Sequence, residues 1–378
     1  MVPIDRDWSF RSELSLAPRV EAGQKDWKKG GSELDAFSAA RDLLEDAVAS
    51  DRIPGAVAIC GRKSEILFQF HCGFAQVYPV ARQMQYDTLF DVASLTKVMA
   101  TLPALLILVE RGQISLDTPL SDYFPAFAEV SKRAVRVKHL ITHTSGLVAK
   151  KPFLWERFEG TDAIIAAALA EPLDTEPGAR VAYSDYGYII AGALVEQVSR
   201  RPLAEFLQDT VFGPLQMHDT TFNPTGAKNI AATEVERGVA KLGVVHDKTA
   251  AAMGGIAGHA GLFSSARDMA RYLGMWVGGP GPLAQNTCEH AVGLQTPGLT
   301  GRRGWGWVLR GDSQDISGDL WPDTVASHTG FTGTSTIFDR PSGAWAVLLT
   351  NRVHFGRHID IGSLRRQFHN AVAYALFP

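Results

Sequence analysis

The stretch Ser94-Leu95-Thr96-Lys97 opens an apolar run that continues to Val109 and predicts a buried helix. A lysine three residues after a serine lies on the same helix face, within reach of the serine hydroxyl. A hydroxyl is a weak nucleophile until a neighbour removes its proton, and a helix start favours developing negative charge. The spacing therefore predicts that Ser94 is a nucleophile and that Lys97 is its partner.

Outward from this helix, the chain changes from strands to helices and back to strands. Helices are predicted in the middle, and strands near both ends, over residues 56–60, 66–72, 334–338 and 344–350. Ser32 and Asp35 form a capping pattern before a first helix, and a last helix carries Leu364 and Phe368 on one face. Pro103 predicts a kink or an end in the central helix near Leu102.

These elements predict an α+β fold. We expect an antiparallel sheet built from both chain ends and flanked by terminal helices, with a large, mostly helical subdomain inserted. Residues 1–31 are predicted to be an irregular extension, and residues 32–378 one domain. Its sheet part is expected over about 32–93 and 300–378, and its helical part over about 94–299.

Composition excludes several classes of function. The 37 basic and 40 acidic residues give a net charge of −3, which provides no electrostatic attraction to nucleic acid or an anionic membrane. Apolar runs are too short to span a bilayer, and residues 1–20 lack the apolar core of a signal peptide. We therefore expect a cytoplasmic protein, or a periplasmic or secreted one if a leader has been removed.

The sequence predicts neither a metal site nor a cofactor. Cys60, Cys72 and Cys288 are too scattered for a thiolate site or a disulfide framework. His139 and His143 have the spacing of two metal ligands on a helix, but the glutamate of the H-E-x-x-H pattern is missing. A structural role is expected for both histidines.

Two later segments complete a recognisable set, Tyr183-Ser184-Asp185 and His328-Thr329-Gly330. With the segment at Ser94 they resemble the S-x-x-K, Y-x-N and K-T-G or H-x-G motifs of one group of serine hydrolases. That group contains the class C β-lactamases, penicillin-binding proteins and family VIII esterases. Residues 140–147, 214–220 and 258–264 are also similar to segments of this group.

The resemblance implies a β-lactamase/transpeptidase-like fold and an acyl-enzyme on Ser94, with Lys97 and Tyr183 sharing the role of base. Burial is expected to lower the pKa of Lys97. The implied oxyanion hole consists of the backbone N–H groups of Ser94 and Phe331. The implied substrate-binding residues are Asp185, His328, Gly330 and His259, although His259 could equally make only loop hydrogen bonds.

Two positions depart from the family pattern. His328 replaces a lysine that is permanently charged, and a histidine is mostly neutral at pH 7. Asp185 replaces an asparagine, and an ionised carboxylate cannot donate a hydrogen bond to a substrate carbonyl. If Asp185 faces Lys97, it should hold that lysine protonated and shift the role of base toward Tyr183.

We therefore expect a cofactor-free serine hydrolase that acts on a small-molecule ester or amide. The alternatives are a D-amino-acid peptidase or DD-carboxypeptidase acting on D-peptides, a weak β-lactamase, and a non-catalytic scaffold or ligand-sensing module. The scaffold is disfavoured because Ser94, Lys97 and Tyr183 are all present. The oligomeric state and the physiological substrate stay open.

Overall fold

A computed structural model describes residues 36–149, 154–226 and 229–378. The predicted extension, 1–31, and the capping pattern at Ser32 and Asp35 lie outside these residues. The strands of the described chain are β1 Gly55–Arg62, β2 Glu65–Gln76, β3 Arg82–Gln83, β4 Phe90–Asp91, β5 Thr221–Phe222, β6 Val235–Glu236, β7 Val239–Ala240, β8 Leu262–Ser264, β9 Val308–Leu309, β10 Ala326–Thr329, β11 Ser335–Asp339 and β12 Ala344–Thr350.

The α-helices begin with α1, which follows the predicted cap, and end with α11 near the C-terminus. They are α1 Ser38–Ala49, α2 Leu102–Glu110, α3 Val137–Ile141, α4 Leu154–Arg157, α5 Thr161–Ala170, α6 Asp185–Ser199, α7 Leu203–Leu207, α8 Lys248–Ala252, α9 Ala266–Trp276, α10 Gln285–Ala291 and α11 Gly362–Leu376. In the described parts of the chain, no helix has the length and apolar character needed to cross a bilayer.

Both chain ends contribute to one antiparallel sheet, with strand order β3-β2-β1-β12-β11-β10-β9. At its centre β1 pairs with β12, so that Val57 lies opposite Leu349 and Ala58 opposite Leu348. Side chains alternate between the two faces of a strand. Ala58 and Leu348 accordingly pack with α1 and α11, whereas Val57 and Leu349 pack with the helical region. This arrangement confirms the predicted fold class.

The central helix begins in an unusual form. Lys97–Thr101 is a π-helix, and the α-helical part starts only at Leu102, with Pro103 in its first turn. Proline has no N–H to donate, and the first turn of a helix needs none from it. Pro103 therefore starts the α-helix, whereas the sequence predicted a kink or an end there. Short π-segments are frequent at functional sites.

A second, three-stranded sheet has two of its strands, β5 and β8, within the region predicted to be mostly helical, and β4 just before it. Its order is β4-β8-β5, and Phe90 of β4 pairs with Ser264 of β8. Strands of two or three residues are too short to show an alternating pattern, so sequence reasoning missed them. The sheet matters for the site because β4 ends at Asp91, shortly before Ser94.

The burial of one histidine behind the main sheet predicts how the folding stability of the protein depends on pH. His369 of α11 is fully buried, and neither of its ring nitrogens has a hydrogen-bond partner within the described residues. Burial, with a smaller contribution from the charge of Arg365, lowers the pKa of His369 to about 3. The folded protein therefore keeps this imidazole neutral far below the pH at which it titrates in an unfolded chain.

Because the unfolded chain protonates His369 near its ordinary pKa of about 6.5, stability is lost as the pH falls below that value. This residue alone should remove up to about 2 kcal/mol between pH 7 and pH 5. We expect His369→Phe to lose less stability than wild type over this interval, measured by urea unfolding at both pH values. His218→Gln, at an exposed histidine, is the control. The same pH dependence in His369→Phe and wild type would contradict the prediction.

Candidate functional site

A strained turn presents Ser94 to solvent. The buried carboxylate of Asp91 accepts hydrogen bonds from the N–H of Ala93 at 2.8 Å and of His246 at 2.6 Å. Ala93 has a φ of +48°, which a residue with a side chain rarely adopts, and such strain clusters at functional sites. Ser94 follows directly and is half-buried. The turn thus places the hydroxyl of Ser94 over the start of the π-helix that carries Lys97.

The ammonium of Lys97 is fully buried and has three oxygen neighbours. Its Nζ lies 3.1 Å from Ser94 Oγ, 2.9 Å from the carbonyl oxygen of His259 and 2.7 Å from Asp185 Oδ1. An ammonium has three N–H donors and no acceptor. Two of these contacts are hydrogen bonds, to Ser94 and to His259, and the contact with Asp185 is an ion pair. One of the two hydrogen-bond acceptors is the predicted nucleophile.

The predicted lowering of the Lys97 pKa is wrong. Burial alone would lower the pKa, but the nearby Asp185 and Tyr183 raise the pKa of Lys97 well above its usual value. From the sequence, Asp185 is expected to hold Lys97 protonated if it faces that lysine. Its carboxylate does face Lys97. The lysine is accordingly held in its charged form.

Tyr183 lies beside this ammonium, with Lys97 Nζ 5.0 Å from the centre of its ring. On its other side the ring of His143 packs against it at 4.6 Å between centroids. His143 Nδ1 accepts a hydrogen bond from the N–H of Ser184, which precedes α6. Asp185 begins that helix, where a carboxylate is stabilised by the helix dipole. Local packing thus orients the whole Tyr183-Ser184-Asp185 segment.

The turn between β10 and β11 is tied to the strand end before Ser94. The hydroxyls of Thr332 and Thr334 donate to the carbonyl oxygens of Asp91 at 2.6 Å and of Val92 at 3.1 Å. Within the described residues, neither the N–H of Phe331 nor that of Ser94 donates a hydrogen bond to the protein. Two unused backbone donors are what an oxyanion hole requires.

His328 is buried at the end of β10 and lines the cleft. Its Nδ1 lies 3.0 Å from the carbonyl oxygen of Thr329, which can only accept, so Nδ1 carries the proton. Burial, with the charges of Lys97 and Arg303, lowers the pKa of His328 to about 3. The imidazole is therefore neutral at pH 7, as expected from the sequence for a histidine in place of the family's lysine.

The structure assigns His259 differently from the predicted substrate contact. Its side chain is buried, and Nε2 lies 3.0 Å from Asp247 Oδ1, while its carbonyl oxygen contacts Lys97. The loop hydrogen bonding that the sequence left as the alternative is the observed state. Asp247 was missed altogether, because nothing in the sequence connects it with residues 94–97.

The cleft beside Ser94 has a volume of about 330 Å³. Its lining consists of Ser94, Tyr183, Val308, Ser313, Gln314, Asp315, Ile316, His328, Thr329, Phe331, Arg365 and Arg366. Sequence reasoning missed the two arginines. They are the fourth and fifth residues of α11, near the end of the helix where positive charge is unfavourable because of the helix dipole. This position was the signal by which the sequence could have indicated them. In the described residues, no three His, Cys, Asp or Glu side chains are grouped to hold a metal ion.

Comparison with known proteins shows the family of this chain. Residues 40–368 match the family described as Beta-lactamase. The N-acetylmuramyl-L-alanine amidase of Bacillus subtilis (strain 168) is 30% identical over 356 residues, which cover 82% of this chain and 80% of that protein. A putative D-alanyl-D-alanine carboxypeptidase of Escherichia coli (strain K12) is 30% identical over 337 residues, 78% of this chain and 77% of that protein.

Among solved structures, the fold is similar to that of EstCE1, a hydrolase with promiscuous acyltransferase activity. The TM-score is 0.73 at 22% sequence identity, and the match covers 90% of this chain and 99% of that one. At this identity the likeness shows the fold alone. It agrees with the fold that the three sequence motifs implied.

Gly330 provides a test of the link between the β10–β11 turn and Ser94. A Cβ on Gly330 would lie 2.1 Å from Thr334 Oγ1 and 2.3 Å from the carbonyl oxygen of Val92, so the turn must move. We expect Gly330→Ala to slow labelling of Ser94 by a fluorophosphonate at least about tenfold, since small displacements are costly for reactivity. Intact-mass spectrometry over time measures the rate.

The matched control is Gly274→Ala within α9, because a Cβ there meets nothing within 4 Å. It should label at the wild-type rate and gain up to about 1 kcal/mol in stability from helix propensity. Equal labelling rates for both variants would show that the β10–β11 turn does not govern the reactivity of Ser94.

Proposed function

This chain belongs to the Beta-lactamase family of serine hydrolases, whose general mechanism is an acyl-enzyme, and we propose that it is a carboxylesterase that hydrolyses small esters or amides through Ser94. One observation carries the proposal: the buried ammonium of Lys97 donates to Ser94 Oγ while two further oxygens hold it in place. The relatives named above are an amidase and a putative carboxypeptidase, which supports a small-molecule substrate.

The hydrogen bond from Lys97 to Ser94 supports Tyr183 as the base in this proposal. Because Ser94 Oγ accepts from the ammonium, its own hydroxyl proton points elsewhere. Tyr183, in its phenolate form, takes this proton while Oγ bonds to the substrate carbonyl carbon. The neighbouring ammonium stabilises the phenolate charge. Tyr183 then returns the proton to the leaving alcohol or amine as its bond to carbon breaks, and water hydrolyses the acyl-enzyme.

The backbone N–H groups of Ser94 and Phe331 serve as the oxyanion hole in this proposal. Both donors are unused by the protein among the described residues, so they cost little reorganisation when the carbonyl oxygen gains charge. Gly330 keeps the turn close to Ser94, since no side chain fits beneath it. In this scheme Asp185 holds Lys97 charged and does not bind a substrate amide.

Ester substrates are favoured by the state of His328. A neutral imidazole provides no fixed charge for a substrate carboxylate at the position where relatives with a lysine have one. An activated ester needs little recognition or protonation, because its leaving group departs easily. The second candidate is a D-peptide carboxypeptidase, and the observation that favours it is the pair Arg365 and Arg366, which are among the residues that line the cleft.

We expect p-nitrophenyl butyrate to be hydrolysed with a much larger kcat/KM than a chromogenic cephalosporin or a D-alanyl-D-alanine peptide. Ser94→Ala should remove both the esterase activity and fluorophosphonate labelling while leaving the urea midpoint unchanged. Release of D-alanine as the fastest reaction would favour the carboxypeptidase. Labelling that persists in Ser94→Ala would disprove the assignment of the nucleophile.

A further expectation concerns Asp185. Its carboxylate raises the pKa of Lys97, so Asp185→Asn should lower that pKa and move the alkaline limb of the kcat profile to lower pH. KM should change little, because the side chain faces the lysine. Asp117→Asn, which breaks an exposed ion pair with Lys138, is the control. A raised KM with an unchanged pH profile would instead assign Asp185 to substrate binding.

A further inference from the structure

One of the three oxygens around Lys97 comes from outside the three sequence motifs. Ser94 and Asp185 belong to the motifs, but the third acceptor is the backbone carbonyl of His259, 2.9 Å from Nζ. A backbone carbonyl can hold an ammonium in place only as firmly as the backbone itself is held. The question is therefore what fixes residue 259.

The segment that carries this carbonyl is not held by the regular backbone hydrogen bonds of a helix or a sheet. Residues 256–261 lie outside helices and strands and are rich in glycine. One end is packed closely on α6, where a Cβ at Gly258 would lie 2.1 Å from the carbonyl oxygen of Tyr188. Thr101 Oγ1 also donates to the carbonyl oxygen of Gly258 at 2.6 Å. These contacts fix residue 258 but leave the direction of the next carbonyl undecided.

The side chain of His259 supplies the missing restraint. Its Nε2 lies 3.0 Å from Asp247 Oδ1, and the imidazole is 2% exposed. Asp247 caps α8, since the same Oδ1 accepts from the N–H of Ala250 at 2.8 Å. A carboxylate only accepts, so Nε2 is the donor. The imidazole is thus anchored to a helix start, and its backbone carbonyl is directed at Lys97.

The charge of Asp247 reaches the lysine as well. Although burial alone would raise the pKa of Asp247, the nearby His259, the N–H of Ala250 and the charge of Lys97 lower it well below its usual value. Asp247 is therefore ionised and favours the charged form of Lys97. Its negative charge and the carbonyl that it anchors act in the same direction.

Resting on the acyl-enzyme chemistry proposed above, we propose that the His259–Asp247 pair is a positioning device for Lys97. It fixes the loop carbonyl that accepts one N–H of the ammonium, so that another N–H stays directed at Ser94 Oγ. The pair touches neither the cleft nor the reacting atoms. Its effect should appear in kcat and in the protonation of Lys97, and not in the binding of substrate.

Other groups around Lys97 also set its protonation, and they must stay unchanged in the test. They are Asp185 and Tyr188 on α6, Tyr183 before it, His143 after α3 and His328 on β10. None of them contacts Asp247 through a hydrogen bond within the described residues. The charge of Asp247 also raises the pKa of the buried Asp91, so the pH profile of each Asp247 variant is compared with its rate of Ser94 labelling.

The experiment uses two variants of Asp247. Asp247→Ala removes the anchor and the charge, and we expect kcat for p-nitrophenyl butyrate to fall about 10- to 100-fold with KM nearly unchanged. Asp247→Asn keeps an oxygen that accepts from His259 and from Ala250 and loses only the charge. It should recover most of kcat, while the alkaline limb of its kcat profile still lies at lower pH than in wild type.

The matched control is Ser265→Ala. Ser265 caps α9 by accepting from the N–H of Asp268, and its hydroxyl donates to Asp219, so its loss costs a helix cap without touching Lys97. Ser265→Ala should keep the wild-type kcat per folded molecule and the wild-type pH profile. The rate of fluorophosphonate labelling gives a second readout that does not depend on turnover.

The outcomes separate the two proposals. A wild-type protein that neither hydrolyses esters nor is labelled overturns the proposed function, and the inference with it. A reactive wild type, with Asp247→Ala equal to Ser265→Ala in kcat and labelling rate, overturns the inference alone. If Asp247→Ala does not fold, a pH profile of Asp247→Asn identical to that of wild type also overturns it.

Discussion

A lysine ammonium without any exposed surface needs an acceptor for each of its three N–H groups, because an unpaired buried charge is very costly. Lys97 is stabilised by hydrogen bonds to one hydroxyl and one backbone carbonyl and by an ion pair with one carboxylate. The three oxygens come from chain segments far apart in sequence. The contacts of Lys97 thus hold together the turn at Ser94, the start of α6 and the loop that carries His259.

The same ammonium explains the state of the neighbouring imidazoles. Burial comes first, and the charges of Lys97 and Arg303 then disfavour a further positive charge, so the pKa values of His143 and His328 both lie below the usual range. The interior of the site therefore holds positive charge on Lys97 and Arg303, and Arg365 and Arg366 are among the residues that line the cleft.

Much of this structure follows from local sequence. The motif spacing predicted Ser94 and Lys97 together, and strands β11 and β12 lie within one residue of their predicted bounds. What escaped prediction depends on contacts distant in sequence: the pKa of Lys97 is decided by Asp185, and the role of His259 by Asp247. Periodicity carries no information on such pairs, nor on strands of two residues.

The pairing of β1 with β12 at the centre of the sheet has a consequence for how the protein folds. β1 lies between β2 and β12 in the sheet. The β1–β2 hairpin therefore has an unpaired edge on β1 until β12, the last strand, pairs with it, for example Ala56 with Thr350. Closing so long a loop is entropically expensive and makes folding slow. During synthesis on the ribosome, the exposed edge of β1 would stay open until nearly the whole chain has emerged, and unpaired edges invite aggregation. The surroundings of Ser94 are therefore completed late in the folding of each chain.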